Sequence, residues 1–218
     1  MDCLPLLDVP QPGAHDIIGD RAYANDPMWV AALGDATLKG LRAGGCVGVV
    51  KHIPGHGRAG ADSHLELPVV DAPREQLERS DFAPFRALAH APLGMTAHVV
   101  YTDIDATAPA TTSKRVIDEV VRGFIGFDGA LMSDDLSMRA LQGSFADRAH
   151  AAIAAGCDLV LHCNGNMDEM REVASATPLL SGKALMRTGR AMAAIGPAKT
   201  FAIAEAQARV DDAVSRAV

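Results

Sequence analysis

Short, almost uninterrupted apolar runs alternate with amphipathic stretches along the chain. Five runs read as buried strands: 3–9, 46–52, 93–100, 129–135 and 157–163. The stretches between them read as helices. Asp26 is placed as an N-cap with Pro27 at the first helical position, and that helix stops at Gly44. Residues 73–90 are mostly helical with a bend near Pro84, and Ser113 caps a helix over 114–126. A further helix covers 144–156, and from about Met167 onward the chain is helical and polar enough to lie on the surface. Strands that are apolar throughout, each followed by a helix, predict a parallel sheet covered on both faces.

The ionisable residues of this pattern gather where strands end: Asp8, Lys51 with His52, His98, Asp134 with Asp135, and His162. In a (β/α)8 barrel the loops after the strands build the active site. The expectation is therefore a barrel-like α/β fold with its chemistry at one rim. Only five strands are legible, whereas a complete barrel has eight in about 250 residues. The fold is thus expected to be incomplete, with its first strands missing. It is read as a single unit over 1–218 whose helical C-terminal part begins near residue 167. No GxGxxG or P-loop opens any helix, which argues against a nucleotide site.

Composition narrows the classes further. The 218 residues are 49% hydrophobic and 22% charged, with a formal charge of −7. An acidic balance without a basic, aromatic-interleaved patch argues against a nucleic-acid partner. No run approaches the ~20 apolar residues of a membrane helix, and no charged-then-apolar signal pattern is legible. Cys3, Cys46, Cys157 and Cys163 lack a CxxC spacing and read as reduced thiols of a cytoplasmic protein, with no structural zinc expected.

The stretch KHIPGHGRAGADSHLELP, from Lys51 to Pro68, is polar and histidine-bearing and follows directly on a predicted strand. His52 and His56 have the i, i+4 spacing of a zinc-binding helix, but Pro54, Gly55 and Gly57 forbid that helix. Asp62 and His64 are two apart, so in extended backbone their side chains share one side and Ser63 points away. A carboxylate there can fix the imidazole tautomer and raise its pKa. An isolated loop histidine is ordinarily just polar surface, and one aspartate of MSDD could simply cap the following helix. A buried strand end carrying both Asp134 and Asp135 nevertheless calls for a polar cavity.

Taken together, this loop and the later MSDDLSM resemble the family-3 glycoside hydrolases, in particular the cytoplasmic β-N-acetylglucosaminidases of peptidoglycan recycling. IGDRAY (18–23), AHVVYTDID (97–105) and GFDGALMSDDLSM (126–138) match the same family in the same order, and the likeness weakens after about residue 166. The resemblance implies that Asp134 is the nucleophile, His64 the acid/base and Asp62 the residue that orients His64. It implies that Arg21, Lys51 and His52 bind the sugar, that His56, His98 and Asp135 support the rim, and that no metal or organic cofactor is needed. Asp8 and His162 receive no role. The implied substrate is a small amino-sugar glycoside.

The resemblance also implies further barrel strands before Met1, carrying an acidic residue and an arginine that grip the sugar. A truncated product, one piece of a split enzyme, or self-association through exposed strand edges would each account for their absence here. Two other readings stand beside this one. One is an inactive remnant of such an enzyme. The other is a metal-dependent barrel hydrolase with His52, His98, His162 and Asp134 as ligands.

Overall fold

A computed structural model describes residues 1–217. After an N-terminal segment the elements are α1 (Pro27–Ala43), β1 (Val49–Ile53), β2 (Val69–Val70), α2 (Arg74–Arg79), α3 (Ala83–Ala87), β3 (Leu93–Thr96) and β4 (Val100–Tyr101). A π-wound helix (Val116–Phe124), β5 (Ala130–Asp135), α4 (Phe145–Ala155), β6 (Leu159–Leu161), α5 (Met167–Ala176), α6 (Gly182–Ala193) and α7 (Ile203–Ala217) follow. The main sheet is parallel in the order β1-β3-β5-β6. The helical crossovers between its strands are what parallel pairing requires. All four strands therefore end at one rim.

The first predicted strand differs from its expectation. Residues 3–9 do not form a regular strand; the segment joins β1 through the isolated parallel bridges Asp2–Gly48 and Leu6–Lys51. Its Leu7 N–H donates to the Lys51 carbonyl at 2.7 Å. Pro5 supplies no N–H, so the ladder is interrupted, and such a segment is tolerated only at a sheet edge. The run 93–100 also divides. Its first half is β3, while β4 leaves the main sheet and pairs with β2.

Local signals set the helix starts. Asp26 accepts from the Met28 and Trp29 N–H groups at 2.7 and 3.3 Å. Ser144 and Asp147 form a reciprocal capping box at the start of α4. Ser113 Oγ accepts from Val116 N–H at 3.1 Å, as expected of a cap, although the turns that follow wind as a π-helix. The 73–90 stretch breaks between α2 and α3, just before Pro84, which sits in the first turn of α3.

Side-chain alternation gives the sheet two apolar faces. Val50 and Leu131 pack with Phe82, Phe85, Leu88 and Val120 beneath the helices. Val49, Leu93, Met95, Ala130 and Met132 occupy the other face and pack against Ala191 and Ala194. The C-terminal part is thus not wholly superficial, since Ala191 of α6 is buried there. Arg187 and Arg190 of α6 bind Asp128, and Arg187 also reaches Asp158.

Among the described residues the sheet does not close. The N-terminal segment and β6 are its two edges, and four strands with one bridged segment are too few to complete the predicted barrel. The fold is an open, barrel-like α/β layer. Among the same residues no helix is long and apolar enough to cross a membrane.

Candidate active site

β5 delivers Asp134 to the rim, where its side chain is nearly buried. Asp134 Oδ1 accepts the Asp135 N–H at 2.8 Å, which fixes the carboxylate's orientation. Oδ2 lies 3.9 Å from His52 Nε2, beside the end of β1. The far side of the same imidazole meets Asp8: His52 Nδ1 and Asp8 Oδ2 are 2.7 Å apart. A cavity of about 170 Å³ opens here, and Arg21, Lys51, His52, His64 and Asp134 all line it. Five of the six residues given roles in chemistry or sugar binding therefore share one wall. The sixth, Asp62, stands directly behind His64.

Backbone packing holds the base of the 51–68 loop. Gly57 passes so close to the N-terminal segment that a Cβ there would sit 2.1 Å from the Val9 carbonyl oxygen. Gly55 has φ +147°, and its carbonyl accepts from the Tyr101 hydroxyl. Arg58 donates to Asp81 at 2.9 Å. Beyond this base the chain turns through Asp62–Glu66, with Leu65 and Glu66 N–H groups returning to the Asp62 carbonyl.

Asp62 and His64 meet as expected, but through a turn and not through extended backbone. Asp62 Oδ1 accepts the His64 N–H at 2.9 Å and lies 2.7 Å from His64 Nδ1. Burial works to raise the Asp62 pKa, but hydrogen bonds from the His64 N–H and ring outweigh it and hold the carboxyl below its ordinary value. The imidazole is 57% exposed, open to the solvent side of the cavity. Ser63 turns inward and its hydroxyl faces Met138 Sδ at 3.8 Å. Arg21, on a short 3₁₀ turn, donates to the Ile17 carbonyl at 2.6 Å.

Of the rim-supporting residues, His56 lines the same cavity, while His98 and Asp135 do not. His98 is fully buried, and its Nε2 lies 3.1 Å from the Asp135 carbonyl, which can only accept. Burial lowers the His98 pKa despite the raising influence of Asp134, so the ring is neutral with its proton on Nε2. The Thr111 hydroxyl has one hydrogen for two acceptors, His98 Nδ1 at 2.7 Å and the Ala97 carbonyl at 3.1 Å, so the Thr96 hydroxyl is the donor to Thr111. His56 is also driven toward the neutral form by burial. For Asp135 burial works upward, but hydrogen bonds from Ser137 and the Cys163 N–H hold its pKa down. These partners, Thr96, Thr111 and Ser137, carry no sequence signal.

His162 lies edge-on to Phe145 at 5.1 Å, 3.1 Å from Glu169 Oε2 and 3.7 Å from Asp135 Oδ1, with none of the other three proposed ligands against it. The alternative ligand set of His52, His98, His162 and Asp134 is therefore not assembled. Among the described residues no three His, Cys, Asp or Glu side chains are grouped to hold a metal ion.

Residues 1–191 match the Glycosyl hydrolase family 3 N terminal domain, and the chain belongs to that family. It is 48% identical over 164 residues to a beta-hexosaminidase of Alkalilimnicola ehrlichii, a match covering 73% of this chain and 47% of the relative. NagZ from Neisseria gonorrhoeae in complex with N-trifluoroacetyl-D-glucosamine superposes with a TM-score of 0.77 at 38% identity. That match covers 87% of this chain and 55% of the other. A family 3 beta-N-acetylglucosaminidase from Paenibacillus sp. FPU-7 gives a TM-score of 0.78 at 34% identity, covering 92% of this chain and 41% of the other. The chain spans about half the length of the curated relatives it matches.

Proposed function

We propose that this chain carries the catalytic centre of a retaining β-N-acetylglucosaminidase. The observation that carries the reading is the one cavity where Asp134, the His64–Asp62 pair and the polar side chains of Arg21, Lys51 and His52 converge. Asp134 attacks the anomeric carbon while His64 gives a proton to the departing glycosidic oxygen. The C–O bond breaks as an ester to Asp134 forms. His64 then takes a proton from water, the hydroxide adds to the anomeric carbon, and the ester breaks to return Asp134 as carboxylate. Two inversions leave the β configuration unchanged. Asp62 holds His64 by its Nδ1 side, so Nε2 is the atom that exchanges the proton. Arg21, Lys51 and His52 meet the sugar hydroxyls.

The names of the relatives favour an N-acetylhexosamine in this cavity, and peptidoglycan fragments in the cytoplasm are the substrate that the family likeness suggests. The test is release of nitrophenol from its β-N-acetylglucosaminide by the purified 218-residue chain. His64→Ala should lower kcat by about 10²- to 10⁴-fold, and Asp134→Asn should abolish turnover. A folded chain that binds N-acetylglucosamine without hydrolysing its glycosides would instead be a sugar-binding remnant. Turnover indifferent to both substitutions would overturn the assignment.

A further inference from the structure

Asp8 is a fully buried carboxylate at the rim, and the reaction above gives it no task. Its two oxygens divide the work. Oδ1 accepts both the His52 N–H at 3.2 Å and the His56 N–H at 2.7 Å. Oδ2 is left entirely to the His52 ring, 2.7 Å from Nδ1. A neutral acceptor would satisfy the two backbone groups equally well. Burying a charge instead is costly unless it is paired, and the His52 ring is the side-chain partner that meets it.

The geometry decides where the ring proton sits. An ionised carboxylate has no hydrogen to donate, so Nδ1 must be the donor. Burial works to raise the Asp8 pKa, but its contacts with the His52 ring and the His56 N–H outweigh it, and the carboxyl stays ionised. Nε2 is then the ring atom left to face the cavity, with Asp134 Oδ2 at 3.9 Å. The other titratable groups around the ring are His56, whose centroid is 5.8 Å away, and His98 behind β3.

We propose that Asp8 is a positioning residue that locks His52 with its proton on Nδ1 and aims Nε2 at the sugar beside Asp134. The sugar contact rests on the glycosidase reading above; the proton placement does not. The inference differs from a purely structural role, in which Asp8 merely ties the edge segment to the loop.

Asp8→Asn separates the two. Its amide oxygen can still accept both backbone N–H groups, but its nitrogen can only donate to Nδ1. The ring must then carry its proton on Nε2. With ¹⁵N-labelled histidine, and His52 assigned through His52→Gln, wild-type Nδ1 should resonate as a protonated nitrogen and Asp8→Asn should move it to the bare-nitrogen range. kcat/KM on the nitrophenyl glycoside should fall by about 10- to 100-fold, the usual consequence of removing a histidine's orienting partner.

A bare Nδ1 in the wild type overturns the inference, and this reading needs no variant to fold. So does a folded Asp8→Asn protein with Nδ1 still protonated, or one with the proton moved and kcat/KM unchanged. The expected resonances in a chain without any turnover would leave the proton placement standing and remove the glycosidase reading alone.

Discussion

The hydroxyl of Tyr101 on β4 donates to the carbonyl of Gly55 at 2.5 Å, tying the small second sheet to the base of the rim loop. Both partners are buried, and burial drives the phenol's pKa well up, so it remains a donor throughout the working pH range. Tyr101→Phe keeps the ring packed against Phe82 but leaves the Gly55 carbonyl unpaired. The expected cost is about 1–3 kcal/mol, read as a lower urea midpoint, with turnover falling as the loop base loosens.

Asp158 is a second buried junction. Its Oδ2 accepts from Arg122 at 2.8 Å and from the Leu131 N–H at 3.0 Å, while Oδ1 accepts from Arg187. Burial lowers the Arg122 pKa although Asp158 acts to raise it. Asp158→Ala takes the carboxylate from that guanidinium, which keeps only the Phe127 and Gly129 carbonyls, and leaves a β5 amide unpaired. A loss of about 3–5 kcal/mol is expected, measured by equilibrium denaturation against Asp128→Ala, which removes an exposed carboxylate, leaves Arg187 its bond to Asp158 and should cost less.

Acid should loosen the hold of Asp128 on α6. Hydrogen bonds from Arg190 and Arg187 lower the Asp128 pKa from its ordinary 3.8 to about 2. Because the folded value is the lower one, the stabilisation is complete above the unfolded pKa and is lost as pH falls toward about 2. The stability difference between wild type and Asp128→Asn should stay constant above pH 4 and shrink below it. A gap that widens in acid would contradict this assignment.

Gly57 has no room for a side chain, since a Cβ would fall 2.1 Å from the Val9 carbonyl oxygen. Gly57→Ala must push the loop off the N-terminal segment, at a cost of about 1–3 kcal/mol. Gly60→Ala, where a Cβ meets nothing, provides the control. Turnover and thermal midpoint should drop in the first and hold in the second.

The pairs legible in the sequence are those closed over a few residues. Asp26 with Met28, Ser144 with Asp147, and Asp62 with His64 can all be read from spacing, because the chain itself brings them together. Asp8 and His52 are 44 positions apart, and only parallel pairing of the first segment with β1 makes them neighbours. The break inside 93–100 left no trace, since β3 and β4 are equally apolar and only their partners differ. The π winding after Ser113 likewise has no spacing signal. α6 looks superficial by composition, yet small Ala191 lets it lie against the sheet.

The first nine residues supply both the outermost edge of the sheet and the carboxylate behind His52. Peeling that edge away and dismantling the His52 side of the cavity are consequently one event. A ligand gripped by His52 must then clamp the edge segment as well, raising its opening free energy by RT ln(1 + [L]/Kd). The Leu7 amide, bonded to the Lys51 carbonyl, becomes a clock for occupancy: its proton exchanges with solvent more slowly the fuller the cavity is.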